Sequence, residues 1–133
     1  MDVDALRSIE LFGGLEDDEL AACAELFETT EILAGSGLAR EGDFSYKFFV
    51  VLDGEVDVLR DFDHVATLGA GDFFGEMGVM TGERRNARVV AKTRCNVAWV
   101  MPWDFQKMTE EHSLVAERIQ AVIDERAKSL PTS

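Results

Sequence analysis

Two side chains in the run 74–89 could bind a sugar phosphate. Glu76 supplies a carboxylate, and nine residues later Arg85 supplies a guanidinium. A guanidinium offers a planar fork of donors that matches two phosphate oxygens, whereas a carboxylate only accepts and suits a sugar hydroxyl. Gly75, Gly78 and Gly82 punctuate the same run, and a residue without Cβ lets backbone approach a ligand or take positive φ. Residues 76–81 could form one helical turn, whose free N–H groups and dipole would favour an anion beside Gly75. The implied ligand carries a ribose hydroxyl and a phosphate close together. The same acid and base could instead form a structural ion pair across a loop, worth only about 0–1 kcal/mol if exposed. Arg84 and Arg88 read as solvated surface charges.

The elements that must hold this run are short strands with helices at both ends. Leu20, Cys23, Ala24 and Phe27 recur at i, i+3, i+4 and i+7, the stripe of an amphipathic helix. Acids at 16–19 suit its N-terminus, with Asp17 as a candidate cap. A shorter helix is expected over 3–9, before Phe12 and the Gly13-Gly14 break. From Glu28 the punctuation changes to short apolar runs and turns. Tyr46 to Leu52 concentrates Phe and Val, Asp53-Gly54 is a hairpin signal, and Glu55 to Val58 alternates polar with apolar. Further strands are expected over 64–68, 89–93 and 96–101. Glycine-cornered strands at this spacing argue for a sandwich or barrel. Pro102 fits the first position of a helix to Glu111. Ser113 is a candidate N-cap for a second helix to about Lys128, in which Val115, Ile119, Val122 and Ile123 form a stripe.

Composition narrows the function classes. The 133 residues carry a net charge of −13, yet 75–94 holds five bases against two acids. A positive island in an acidic chain suits a small anion, while nucleic-acid binders usually present a basic footprint. Neither the apolar runs nor the N-terminus resembles a membrane span or a secretory signal, so a soluble cytoplasmic protein is expected. Cys23 and Cys95 fit no metal-ligand spacing and read as buried thiols. His64 and His112 are too few for a metal centre. No nucleophilic or metal constellation is visible, so no enzyme is expected.

The run Phe74-Gly75-Glu76, then Gly82, then Arg85 with Ala87 and Val89, resembles the phosphate-binding cassette of cyclic-nucleotide-binding domains. These occur in catabolite-activator-type regulators, kinase regulatory subunits and cyclic-nucleotide-gated channels. The likeness covers roughly residues 15–127. It implies a mainly β fold, a jelly-roll barrel with N-terminal and C-terminal helices: helical 1–27, barrel 28–101 with the cassette at 74–89, and C-terminal helices 102–128, all within one domain over 1–133. It implies that Glu76 takes the ribose 2′-hydroxyl and Arg85 the cyclic phosphate. Phe74, Gly75, Met77, Gly78, Asn86 and Ala87 would complete the ligand site. Asn86 stands where a hydroxyl-bearing residue accompanies cGMP preference and a small one cAMP, and the reading leans to cAMP with cGMP left open. The resemblance also implies that the C-terminal helices repack when ligand binds, with one residue folding over the base. After Lys128 there is no room for a helix-turn-helix domain, so output to an unknown protein effector in trans, or to an effector removed from a longer chain, is expected. A homodimer through the C-terminal helix is left open. The competing reading is a degenerate member that binds no nucleotide and serves as a protein-interaction module.

Overall fold

The structure, a computed structural model, describes residues 1–39, 47–60, 63–75 and 88–129. Three helical segments open the chain: α1 (Val3–Arg7), a 3-10 turn (Glu10–Phe12) and α2 (Asp17–Leu26). Eight strands follow, namely β1 (Glu28–Ile32), β2 (Gly37–Ala39), β3 (Phe48–Asp53), β4 (Val56–Arg60), β5 (Asp63–Leu68), β6 (Phe73–Phe74), β7 (Arg88–Ala91) and β8 (Cys95–Val100). Two helices close it, α3 (Pro102–Glu111) and α4 (Ser113–Ser129). Among the described residues the strands form two four-stranded sheets, ordered β1-β8-β3-β6 and β2-β7-β4-β5, in which all pairings are antiparallel. The sheets are not closed into a barrel. They pack face to face in jelly-roll fashion, with the helices against the outer face of the first sheet.

That first sheet is therefore the middle of three layers, and its sequence explains why. In β3 the four residues Phe48 to Val51 are all buried, although a strand with one wet face would alternate. Phe48 and Val50 join the core shared with the helices, whereas Phe49 and Val51 join the core between the sheets. Strand β8 divides in the same way, Ala98 and Val100 toward the helices and Cys95, Val97 and Trp99 toward the second sheet. Period-two alternation of side chains thus feeds two cores from one strand. Burying a side chain such as Phe48 contributes about 1.5–3 kcal/mol to holding the layers together.

The helices bury the stripes read from the sequence. Leu20, Cys23, Ala24 and Phe27 of the α2 segment and Val115 and Ile119 of α4 enter the helical core, with Val122 and Ile123 packed at its margin. The N-terminus of α2 differs from the expected Asp17 cap. Glu16 is the cap, and its side chain and that of Glu19 form a reciprocal capping box. The helix thus starts one residue earlier than an Asp17 cap would place it, and Asp17 instead accepts from Arg7 Nη2 at 2.9 Å. Pro102 opens α3 as expected, its missing N–H costing nothing at a helix start. Ser113 is the first residue of α4 rather than its cap, and His112 occupies the joint. Among the described residues no helix is long and apolar enough to cross a membrane.

Candidate functional site

The cassette's two feet stand on different sheets. At one end is β6, whose two residues pair with β3 as Val50↔Phe73 and Phe49↔Phe74. At the other is Arg88, the first residue of β7, an inner strand of the second sheet. Side-chain alternation sends the two phenylalanines of β6 to opposite faces. Phe74 lies between the sheets and stacks on Phe49, with centroids 4.8 Å apart and planes 10° from parallel. Phe73 faces the helices, 5.4 Å from Phe48, which in turn lies 4.7 Å from Phe105 of α3. Immediately after Phe74 the backbone turns at Gly75 with φ of 94°. That left-handed value costs other L-residues about 1–2 kcal/mol, which accounts for the glycine where the chain leaves the sheet.

Phe49 pairs across the sheet with both Phe74 and Trp99, so the three rings form a row on the inter-sheet face at the end where Gly75 departs. Trp99 is half-buried, donates from Nε1 to Thr30 Oγ1 at 3.2 Å, and carries Lys47 Nζ 4.3 Å from its ring centroid. An ammonium over an indole face is attracted by the ring quadrupole. The stem of the cassette is thus aromatic and flanked by a cation.

Of the residues expected to bind ligand, Phe74 and Gly75 are placed as above. Glu76, Met77, Gly78, Arg85, Asn86 and Ala87 lie outside the described residues. Arg88 is exposed and pairs with Leu59. Phe49, Trp99 and Lys47 were not singled out from the sequence, although the alternation in Phe48-Phe49-Val50-Val51 and Val97-Ala98-Trp99-Val100 carries the signal that would have found the two rings.

Elsewhere the polar groups serve the scaffold. Asp57 Oδ1 accepts from Thr67 Oγ1 at 2.8 Å and sits 3.2 Å from His64 Nε2. The Thr67 hydrogen bond first, and the His64 contact after it, hold the Asp57 carboxyl below the usual carboxylate range. Arg94 Nη2 meets Glu31 Oε2 at 2.7 Å, which raises the guanidinium further. Burial, reinforced by Glu19 and Glu111, pushes the Cys23 thiol up to about 11. Among the described residues no group of three or more His, Cys, Asp or Glu side chains could hold a metal ion.

Residues 29–112 match the family model described as the cyclic nucleotide-binding domain. A cyclic nucleotide-gated potassium channel of Rhizobium etli is 31% identical over 126 residues, covering 95% of this chain and 35% of the channel. A cAMP-dependent protein kinase regulatory subunit of Schizosaccharomyces pombe is 34% identical over 94 residues, covering 70% of this chain and 23% of the subunit. The crystal structure of the Thermus thermophilus catabolite activator protein superposes with a TM-score of 0.81 at 25% identity, covering 89% of this chain and 58% of that one. The chain therefore spans less than two thirds of the length of each of these proteins.

Proposed function

We propose that this chain, which belongs to the cyclic nucleotide-binding domain family, binds a cyclic nucleotide in the cassette 74–89 and reports its occupancy by repacking the C-terminal helices. The observation that carries the reading is the stem: a left-handed Gly75 on a stacked Phe74–Phe49 pair, opening directly onto Glu76. In this reading Glu76 accepts from the ribose 2′-hydroxyl and Arg85 forks onto the cyclic phosphate. Backbone N–H groups around Gly75, Met77, Gly78, Asn86 and Ala87 complete the anion site. The role is binding without turnover, and residues 1–133 act as one unit, with 1–27 and 102–128 as the helical parts that respond.

We further propose cAMP over cGMP. No hydroxyl-bearing side chain follows Arg85, where Asn86 stands, and the related Schizosaccharomyces pombe protein is named as the regulatory subunit of a cAMP-dependent protein kinase. The signal passes to a protein effector, in trans or within a longer chain. Only a ligand that binds two arrangements of the helices unequally can drive that change.

Calorimetric titration of the purified chain with cAMP and cGMP side by side is the test, repeated on Arg85→Ala and Glu76→Gln. Saturable cAMP binding lost in Arg85→Ala supports the reading. No heat with either nucleotide overturns it in favour of a member that serves only as an interaction surface.

A further inference from the structure

Strand β5 carries an extra residue. In its pairing with β4, Val58 stands opposite Ala66 but the next residue, Leu59, stands opposite His64, so Val65 is left unpaired as a β-bulge. Side chains alternate along a regular strand, which would put residues three apart, such as His64 and Thr67, on opposite faces. One inserted residue restores the parity and re-aims the side chain. Val56 and Val58 join the core between the sheets, so Asp57 between them points away from it, onto the outer face of the second sheet. Thr67 is the cross-strand partner of Asp57, and the bulge brings His64 to the same face.

Three donor atoms converge there. His64 Nε2 lies 2.9 Å from Thr67 Oγ1 and 3.2 Å from Asp57 Oδ1, and Thr67 Oγ1 donates to the same Oδ1 at 2.8 Å. Two of these contacts would satisfy the three groups as an open chain, because Thr67 gives its single hydroxyl hydrogen to Asp57 and accepts from Nε2. The third contact closes the chain into a nearly equilateral triangle. A cation at about 2.1 Å from three donors at right angles needs donors about 3.0 Å apart, whereas a tetrahedral centre needs about 3.4 Å. The observed edges are those of an octahedral face. The side chains of His64 and Asp57 are 55% and 27% exposed, so water can reach the site from the solvent side. The net charge of −13 favours a cation, and Lys92, whose charge reaches Asp57, opposes it. At the next rung Arg60 stands opposite Asp63, and their charges offset each other.

We propose that Asp57, His64 and Thr67 form a site for a divalent first-row transition metal, six-coordinate, with water in the other three positions. The ion would staple the edge strand β5 to β4. Its third donor is a hydroxyl, which sets the site apart from clusters built only of His, Cys, Asp and Glu. To ligate, His64 passes its Nε2 hydrogen through water to Nδ1 and Thr67 turns its hydroxyl hydrogen outward, so a neutral imidazole binds the ion without net loss of a proton. One imidazole beside two oxygens suits Ni²⁺ or Co²⁺, whereas Mg²⁺ takes oxygen ligands and keeps most of its water. The site uses no residue of the cassette, and it stands whether or not a cyclic nucleotide binds.

Isothermal titration of the full chain with NiCl2, in a buffer that does not bind metal, tests the site beside His64→Gln, Asp57→Asn, Thr67→Val and His112→Gln. Wild type and His112→Gln are expected to bind a single Ni²⁺ alike, and MgCl2 is expected to give no saturable heat. His64→Gln and Asp57→Asn should each weaken Ni²⁺ roughly tenfold or more, at least the cost of removing an outer-shell partner of a metal, and Thr67→Val should weaken it by less. Six-coordinate Ni²⁺ is paramagnetic, so in nitrogen-15 NMR spectra the amide signals of Asp57, His64 and Thr67 should broaden first. No saturable Ni²⁺ binding leaves the triangle a hydrogen-bonded brace and overturns the proposal. Wild-type affinity in any one of His64→Gln, Asp57→Asn or Thr67→Val, or broadening centred on His112, overturns it as well.

Discussion

Gly54 sits in the turn that carries the chain from β3 in the middle sheet to β4 in the outer one. Its φ is 88°, and a Cβ there would lie 2.4 Å from the carbonyl oxygen of Arg94 and 3.0 Å from both Cα and Sγ of Cys95. Two costs therefore fall on Gly54→Ala. The left-handed backbone costs about 1–2 kcal/mol for an L-residue, and relieving a collision with backbone costs about 1–3 kcal/mol more. Gly35 separates them, because its φ is 87° but a Cβ there would meet nothing within 4 Å. Gly35→Ala should lose only the conformational part. Urea unfolding of both variants beside wild type gives the difference, expected at about 1–3 kcal/mol of extra loss in Gly54→Ala with unchanged m-value. At roughly 3–5 °C per kcal/mol for a chain of this size, Gly54→Ala should melt about 6–25 °C lower and Gly35→Ala about 3–10 °C lower. Gly54 lies at the opposite end of β3 from the cassette stem, since Phe49 is the partner of Phe74. Cyclic nucleotide affinity of the folded variant should therefore match wild type. Equal losses in the two alanine variants would refute the steric argument, and a large affinity loss in Gly54→Ala would refute the separation of the two ends.

In thermal melts, cAMP at 100 times its Kd should add about 2.7 kcal/mol of stability, and Arg85→Ala should erase that gain. In isothermal titration Arg85→Ala should weaken cAMP by roughly 100-fold or more if the guanidinium forks onto the phosphate as proposed. With its thiol pushed up to about 11, Cys23 should react with a disulfide reagent at pH 8 only as fast as unfolding exposes it, which stopped-time thiol counting in rising urea would show. Asp57 titrates below its unfolded value, so its contribution is present above that value and is lost as pH falls through the depressed one. Asp57→Asn should accordingly flatten the acid limb of the stability curve below about pH 4, as followed by denaturant midpoints.

The sequence exposed most of the framework because the periodicities are strong. The i, i+3, i+4, i+7 stripe at Leu20 to Phe27 and the stripe from Val115 to Ile123 both lie on the helical core. Asp53-Gly54 turns the chain at a left-handed glycine, but β3 and β4 belong to different sheets and do not pair, so the expected hairpin is a crossing between sheets. What was not legible is which core each strand residue feeds. A run such as Phe48 to Val51 is apolar throughout, and only the registers with β6 and β8 reveal that alternate residues face helices and sheet. The two-residue strand β6 was hidden for the same reason, since Phe73-Phe74 reads as the start of the cassette. Caps were misread by one residue at Asp17 and Ser113, because several neighbouring polar side chains could have served and packing chose among them. The 3.1 Å contact between Glu19 and His112 had no local signal at all, as 93 residues separate them.

The middle sheet also decides how a change at the cassette could reach the helices. Phe74 and Phe73 are adjacent, so a twist of β6 that shifts one ring between the sheets moves the other against the helical core. The second ring meets Phe48, and Phe48 meets Phe105 of α3. Each such aromatic contact is worth about 0.5–1.5 kcal/mol beyond area burial, so the pair of contacts bounds the transmissible coupling at about 1–3 kcal/mol. That is the usual size of coupling between two sites. A close-packed core does not deform continuously, so α3 should answer a displaced Phe73 by moving as a body.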